Sequence, residues 1–276
     1  MSNIKISSKH TLIKINPLTI IIVFLSLIFG RFNYIFIHYI IALFHEICHV
    51  LIAKIFKIKV NSISFLPFGF YAKMDELEKE KPMRQLLVII MGPLSFFPVW
   101  LILNILRLNF IISSYTYDFA FTSALTVMLF NLIPLYPLDG ARAIEIIVAI
   151  KLDEYKTRII RVIISIISLM FLTYYCLKES QFIVLIFLFI SVIYEIIFFR
   201  KNYILFLLKR LCEKNTRSLK IIRDYKIYRY RKCKLIKNNT AIEEPEIIRR
   251  IITNKKKIQI NGDNSISLLV MIFAIG

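Results

Sequence analysis

His45, Glu46 and His49 stand in the run Ala42-Leu43-Phe44-His45-Glu46-Ile47-Cys48-His49-Val50-Leu51. Two histidines four residues apart on a helix share one face about a turn apart, so both imidazoles can bind one tetrahedral Zn²⁺ while the glutamate reaches its water. A zinc-bound water has its pKa pulled from about 15.7 toward about 7, and Glu46 then has only to relay a proton to a leaving amine. The spacing therefore predicts metal-assisted hydrolysis. The competing reading, two histidines and a glutamate that merely pack in a bundle, is disfavoured because polar groups at membrane depth are costly and usually functional.

The segment around the motif is apolar enough to cross a membrane, and so is much of the chain. Of 276 residues 58% are hydrophobic, yet 37 are Lys or Arg, and the mean hydropathy is +0.67. That combination excludes an ordinary soluble domain and predicts a polytopic membrane protein. Apolar stretches run from Pro17 to Gly30, Tyr34 to Ala53, Leu86 to Leu106, Phe119 to Leu138, Ile159 to Leu177 and Phe182 to Phe199, against a need of about 20 residues per span. The first is short, which suggests a start nearer Leu12, and no cleavage pattern of small residues follows it, so it reads as a retained span.

With six spans and an inside amino terminus, 34 of the 37 basic residues fall on the cytoplasmic side, leaving Arg31, Arg107 and Lys178 outside. The positive-inside rule thus predicts a multi-pass cell-membrane protein with both termini cytoplasmic. The +19 charge sits beside membrane segments, where anionic lipid is its natural partner, and no direct nucleic-acid binding is expected. Cys48, Cys176, Cys212 and Cys233 form no CxxC pair and read as free thiols. Cys48, inside the motif, reads as a small packing residue rather than a ligand.

Lys57 to Ala72, rich in β-branched and aromatic residues and broken by Pro67 and Gly69, predicts a short membrane-associated β-ribbon, whose edge could pair with an extended peptide. Met91-Gly92-Pro93-Leu94 places a glycine and a proline mid-helix, implying either a kink or a close backbone approach. Asn131 to Gly140 contains two prolines and closes on Asp139. A central acid costs about 2.5 to 3.5 kcal/mol in a membrane, and coordination would offset that. A catalytic zinc needs a third protein ligand, which favours Asp139 as ligand over the alternative of an N-cap for the next helix. Glu145, Glu195 and His38 are weaker candidates, His38 being read as a helix-packing residue. Beyond Arg200 the chain turns basic and polar. The alternating Arg223 to Lys232 run suits a strand or a membrane-surface segment, and Ile266 to Ile275 is too short to span.

These residues resemble the site-2 protease family of intramembrane zinc metalloproteases. The resemblance rests on Asn16-Pro17-Leu18, His45 to His49, Leu66-Pro67-Phe68-Gly69, Ile89 to Leu94 and Asn131 to Gly140, in order, and covers about residues 10 to 215. It implies His45, His49 and Asp139 as zinc ligands, Glu46 as general base, Asn131 as a substrate-holding residue, and one Zn²⁺ per chain. It also implies a membrane-reentrant hairpin near Leu66 to Tyr71. The sporulation branch of the family further implies a membrane-associated sigma-factor precursor as substrate, membrane-protein regulators, and a place in the mother-cell membrane around the forespore. Cys48, Ala141 and Ser95-Phe96 depart from the family pattern without removing a ligand.

The expected architecture is an all-α polytopic membrane protein of about six transmembrane helices. Residues 1–200 form the metalloprotease domain and residues 201–276 a basic cytoplasmic tail, a degenerate or truncated regulatory domain. The rival function is a metal or proton transporter using intramembrane His and Asp, but transport gives no reason for Glu46 to stand beside a four-residue histidine pair. A different site-2 protease substrate, such as an anti-sigma factor, is the alternative within the protease class.

Overall fold

The computed structural model describes residues 4–7, 12–66, 69–74, 76–178, 182–212, 218–222, 224–237 and 240–261. Strands β1 (Ile4–Ser7) and β2 (Leu12–Ile15) precede helices α1 (Pro17–Ile28) and α2 (Phe32–Ile55), and β3 (Ser62–Leu66) and β4 (Gly69–Lys73) follow. Then come α3 (Pro82–Leu94), α4 (Phe96–Leu108), α5 (Ser114–Leu132), α6 (Asp139–Lys151), α7 (Glu154–Lys178) and α8 (Phe182–Cys212). Strands β5 (Leu219–Ile222), β6 (Lys232–Lys237) and β7 (Thr240–Glu243) lead into α9 (Glu244–Asn261). The chain divides into one unit of Met1–Ile147 with Ile163–Val192 and a second of Val148–Val162 with Ile193–Gly276.

Among the described residues three helical stretches are long and apolar enough to cross a membrane: Phe32–Ile55, Pro82–Leu108 and Glu154–Tyr174. The expected extension of the first span toward Leu12 is corrected. Leu12–Ile15 is a strand, and α1 begins at Pro17 because Asn16 caps it, accepting from the Leu18 N–H at 3.0 Å, while the proline supplies a pre-set first helical residue. Helix α1 stops at Gly30, whose φ of +64° lets Arg31 N–H turn back to Ser26 O at 2.8 Å. The chain is mostly helical, as expected, and carries two sheets beside the helices.

In the first unit β1 pairs antiparallel with β2, β2 parallel with β3, and β3 antiparallel with β4, which ends the sheet. The β3–β4 pair occupies the segment expected to form a ribbon. Phe65 and Phe70 face each other across it, stacked at 4.5 Å, and Tyr39 of α2 meets both edge-on at 4.8 and 6.3 Å. This aromatic contact fixes the sheet against α2. Below it Val50, Ala53, Ile58, Val60, Ala72 and Val88 form a buried cluster joining α2, β4 and α3.

In the second unit Tyr203 and Leu207 of α8 pack with Ile222, Ile227, Cys233, Leu235, Ile247, Ile248 and Ile251 in one buried core. Arg210, fully enclosed, donates from Nε to Glu244 at 2.6 Å and from Nη1 and Nη2 to the carbonyls of Arg229 and Arg231 at 3.1 and 2.7 Å. The second Glu244 oxygen accepts from the Cys233 N–H at 2.8 Å. Glu154 is likewise held by Arg158 at 2.7 Å and Arg229 at 2.8 Å. The basic segment after residue 200 thus contains packed structure. Its Asp224–Arg231 stretch is turns and irregular backbone, with the strand starting only at Lys232. Arg223 and Ile266 to Ile275 lie outside the described residues.

Candidate metal centre and active site

Helix α2 presents His45, Glu46 and His49 within its buried surface, 5, 9 and 6% exposed, and Asp139 at the start of α6 is also buried. His45 Nε2 lies 3.2 Å from Asp139 Oδ2, His49 Nε2 3.1 Å from the same oxygen, and the two Nε2 atoms 3.2 Å from each other. Among the described residues this is the cluster whose ligand atoms converge closely enough to hold a metal ion.

The donor set fits a zinc ion on the structure's own terms. His49 Nδ1 donates to the Val88 carbonyl at 2.7 Å, so in the neutral imidazole it is Nε2 that carries the lone pair, facing a carboxylate oxygen. A pair of atoms at 3.1 Å is held by a proton or a metal ion between them. Tetrahedral ligands at about 2.0 to 2.1 Å from zinc stand about 3.3 Å apart, close to the three edges seen here. Two imidazoles and one carboxylate, with a fourth position left open, match a catalytic rather than a structural zinc site.

Backbone atoms orient two of these side chains. The carbonyl of Val88 on α3 fixes the His49 ring, and the Ala72 N–H of β4 donates to Glu46 Oε1 at 2.6 Å. His45 Nδ1 is buried without a hydrogen-bond partner. Two glycines make room. A Cβ on Gly92 would stand 2.8 Å from His45 Nε2 and would overlap the His49 ring, and one on Gly140 would overlap the Leu132 carbonyl. Met91-Gly92-Pro93 therefore serves a close approach of α3 to α2, while the break between α3 and α4 falls just beyond it at Ser95. Gly140 lets the Asp139 end of α6 pass against the end of α5.

The remaining candidates lie elsewhere. Asn131 Nδ2 donates to Val127 O of its own helix at 2.9 Å. His38 Nδ1 shares a hydrogen bond of 2.9 Å with Ser123 Oγ of α5, a helix-to-helix contact as expected. Glu195 accepts from Arg161 Nε at 2.5 Å in the second unit, Glu145 is outside the metal cluster, and half-buried Cys48 is a free thiol. Sequence reasoning missed the Ala72 N–H and the Val88 carbonyl, which orient Glu46 and His49.

Residues 33–111 match the model of peptidase family M50, whose members are zinc metalloproteases. The chain is 35% identical over 150 residues to a zinc metalloprotease of Methanocaldococcus jannaschii, covering 53% of this chain and 43% of that protein. It is 25% identical over 221 residues to stage IV sporulation protein FB of Bacillus subtilis, covering 76% of this chain and 75% of that one. The solved structure of a site-2 protease from M. jannaschii superposes with a TM-score of 0.54 at 24% identity, covering 70% of this chain and 95% of that chain. The chain spans less than half the length of the first of these relatives and three quarters of the second. Residues 33–111 thus match the peptidase family M50 model, and the fold is similar to that of a site-2 protease.

Proposed function

We propose that the chain is an intramembrane zinc metalloendopeptidase that cleaves a membrane-associated protein near the cytoplasmic face. The observation that carries this is the triangle of His45, His49 and Asp139 with 3.1 to 3.2 Å edges, beside a glutamate held on the same helix face. His45, His49 and Asp139 hold one zinc ion per chain, and zinc, when bound, acidifies a water and polarises the scissile carbonyl. Glu46 accepts the proton of the attacking water and returns it to the leaving amine. The Ala72 N–H keeps one Glu46 oxygen occupied, which leaves the other for that transfer.

In this reading six spans place both termini in the cytoplasm, with residues 1–200 as the membrane domain and 201–276 as a basic regulatory tail. If α2 runs from outside to inside, the metal lies on the order of 5 to 10 Å below the cytoplasmic edge. A helical substrate hides its peptide bonds in its own hydrogen bonds, so it must unwind locally before attack. The end strand β4 offers an edge for the unwound segment. Ala72 gives its N–H to Glu46 rather than to β3, so a paired peptide lies against the strand that fixes the general base. Likeness to the sporulation protein supports the precursor of a late mother-cell sigma factor as the substrate and the mother-cell membrane as the place. Asn131 contributes to holding it.

The test is co-expression with the sigma-factor precursor from the same cell, scored by gel mobility, beside Glu46→Gln. Product from the unmodified chain alone is expected. Processing by Glu46→Gln at the unmodified rate would remove Glu46 as the base. Metal flux retained in that variant would favour a transporter.

A further inference from the structure

Three residues after Asp139, one helical turn further along the same face of α6, stands Arg142. It is half-buried, and its guanidinium carbon lies 5.5 Å over the ring of Tyr71 on β4. The titratable groups within its electrostatic reach are Asp139, Tyr71, Tyr136 and Glu46. Its guanidinium makes no hydrogen bond among the described residues, and its nitrogens are not among the sealed, unpartnered atoms of the interior. They therefore keep some contact with solvent.

We propose that Arg142 is a substrate-binding residue whose guanidinium donates to a main-chain carbonyl oxygen of the peptide laid along β4, next to the bond to be cleaved. This rests on the peptidase reading above. An arginine carries five N–H donors in a planar fork; water can satisfy them in the free chain, and a peptide carbonyl that displaces that water must accept from them in its place. Its charge already has two carboxylates in reach, so the missing partner is an acceptor of hydrogen bonds rather than another anion. Stacking on Tyr71 sets the plane of the fork. Tyr71 also directly precedes Ala72, the residue that holds Glu46. Guanidinium, general base and the candidate ligand Asp139 are thus referred to one strand and one helix end, the frame a bound peptide needs.

The experiment uses the full chain, purified with its zinc, and the sigma-factor precursor cleaved by the unmodified chain and not by Glu46→Gln. Failure of that control pair would count against the peptidase reading itself, and the Arg142 variants are read against a working control. Arg142→Gln is expected to raise KM on the order of 10- to 100-fold, the range for losing a charge-assisted hydrogen bond, with kcat changed far less and zinc per chain unaltered. Arg142→Lys, which keeps the charge without the fork, falls between the two. The rise persists when acidic residues flanking the cleavage point are changed to their amides. An unchanged KM would overturn the proposal, as would loss of zinc or of kcat alone, which would make Arg142 a support for Asp139. A KM effect that disappears with the amide substrates would overturn the carbonyl assignment.

Discussion

Gly92→Ala adds one methyl group and is predicted to empty the proposed metal site. The new Cβ would stand 2.8 Å from His45 Nε2 and closer still to Nε2 and Cε1 of His49. Ordinary nonbonded carbon contacts begin near 3.5 Å, so even the looser contact asks for about 0.7 Å of movement. The His49 ring is tied through Nδ1 to Val88 O, one turn away on the same helix as the new methyl. Turning it aside breaks that bond, and α3 cannot retreat freely because Gln85, Val88, Ile89 and Pro93 are buried with Gly92. Metal sites tolerate ligand displacements of about 0.2 Å, and losing an outer support of a ligand costs about 10- to 100-fold in affinity. Displacing the ligands themselves should reach at least the upper end, about 100-fold. Zinc per chain after dialysis against graded chelator reads this directly, with far-ultraviolet circular dichroism to show that the helices persist. Pro93→Ala is the control, since it restores an N–H and removes the ring without adding bulk between α2 and α3, and it should keep its zinc. Wild-type chelator resistance in Gly92→Ala would refute the close-approach reasoning.

Four further outcomes follow from the structure. Glu244→Ala leaves Arg210 buried without its 2.6 Å partner and the Cys233 N–H without its acceptor, so the second unit should lose about 3 to 5 kcal/mol, measured by denaturant titration of the full chain with protease cleavage in residues 201–276 as the readout. Lys57 ends α2 with φ of 59°, where Ile58 N–H bonds to Ala53 O at 2.8 Å, so Lys57→Gly should raise the melting temperature by relieving up to about 1 kcal/mol of left-handed strain. Burial pushes the Cys233 thiol up. Below the ordinary thiol value of about 8.5 both states keep the proton, and above it only the unfolded chain loses it, so the second unit should weaken as pH rises from there toward the folded value. In alkylation of the native chain at pH 8, exposed Cys212 should react while Cys233 waits for denaturant, and equal rates would contradict the packing.

The histidine pair is legible because its meaning is local, a four-residue spacing on a helix that forms where the apolar pattern says it should. Asp139 is 94 residues from His45, and no periodicity links them. Only the chemistry of zinc, which asks for a third ligand, singles it out. The strands were harder to read. Leu12-Ile13-Lys14-Ile15 alternates as an edge-type strand does, but next to an apolar run the same residues read as the start of a span. Only its parallel pairing with Ser62–Leu66 across all of α1 and α2 decides the matter. After residue 200 the abundance of lysine and arginine obscured a core built from isolated apolar residues, Ile222, Ile227, Leu235, Ile247 and Ile248, and a buried arginine that composition counts as a surface charge.

What no reading of side chains could supply is the way the site is held. His49 is oriented by a carbonyl and Glu46 by an amide N–H, groups that every residue carries and that therefore leave no trace in sequence. In a low-dielectric interior this economy has a physical cause. A polar side chain recruited to orient a ligand brings further donors and acceptors that themselves need partners, whereas a helix carbonyl or the amide of a sheet's end strand adds none. The consequence is a site whose geometry depends on where α3 and β4 lie against α2 more than on which polar residues surround it. Substitutions that displace backbone, at Gly92 and Gly140 above all, should therefore damage it more than exchanges of neighbouring polar side chains.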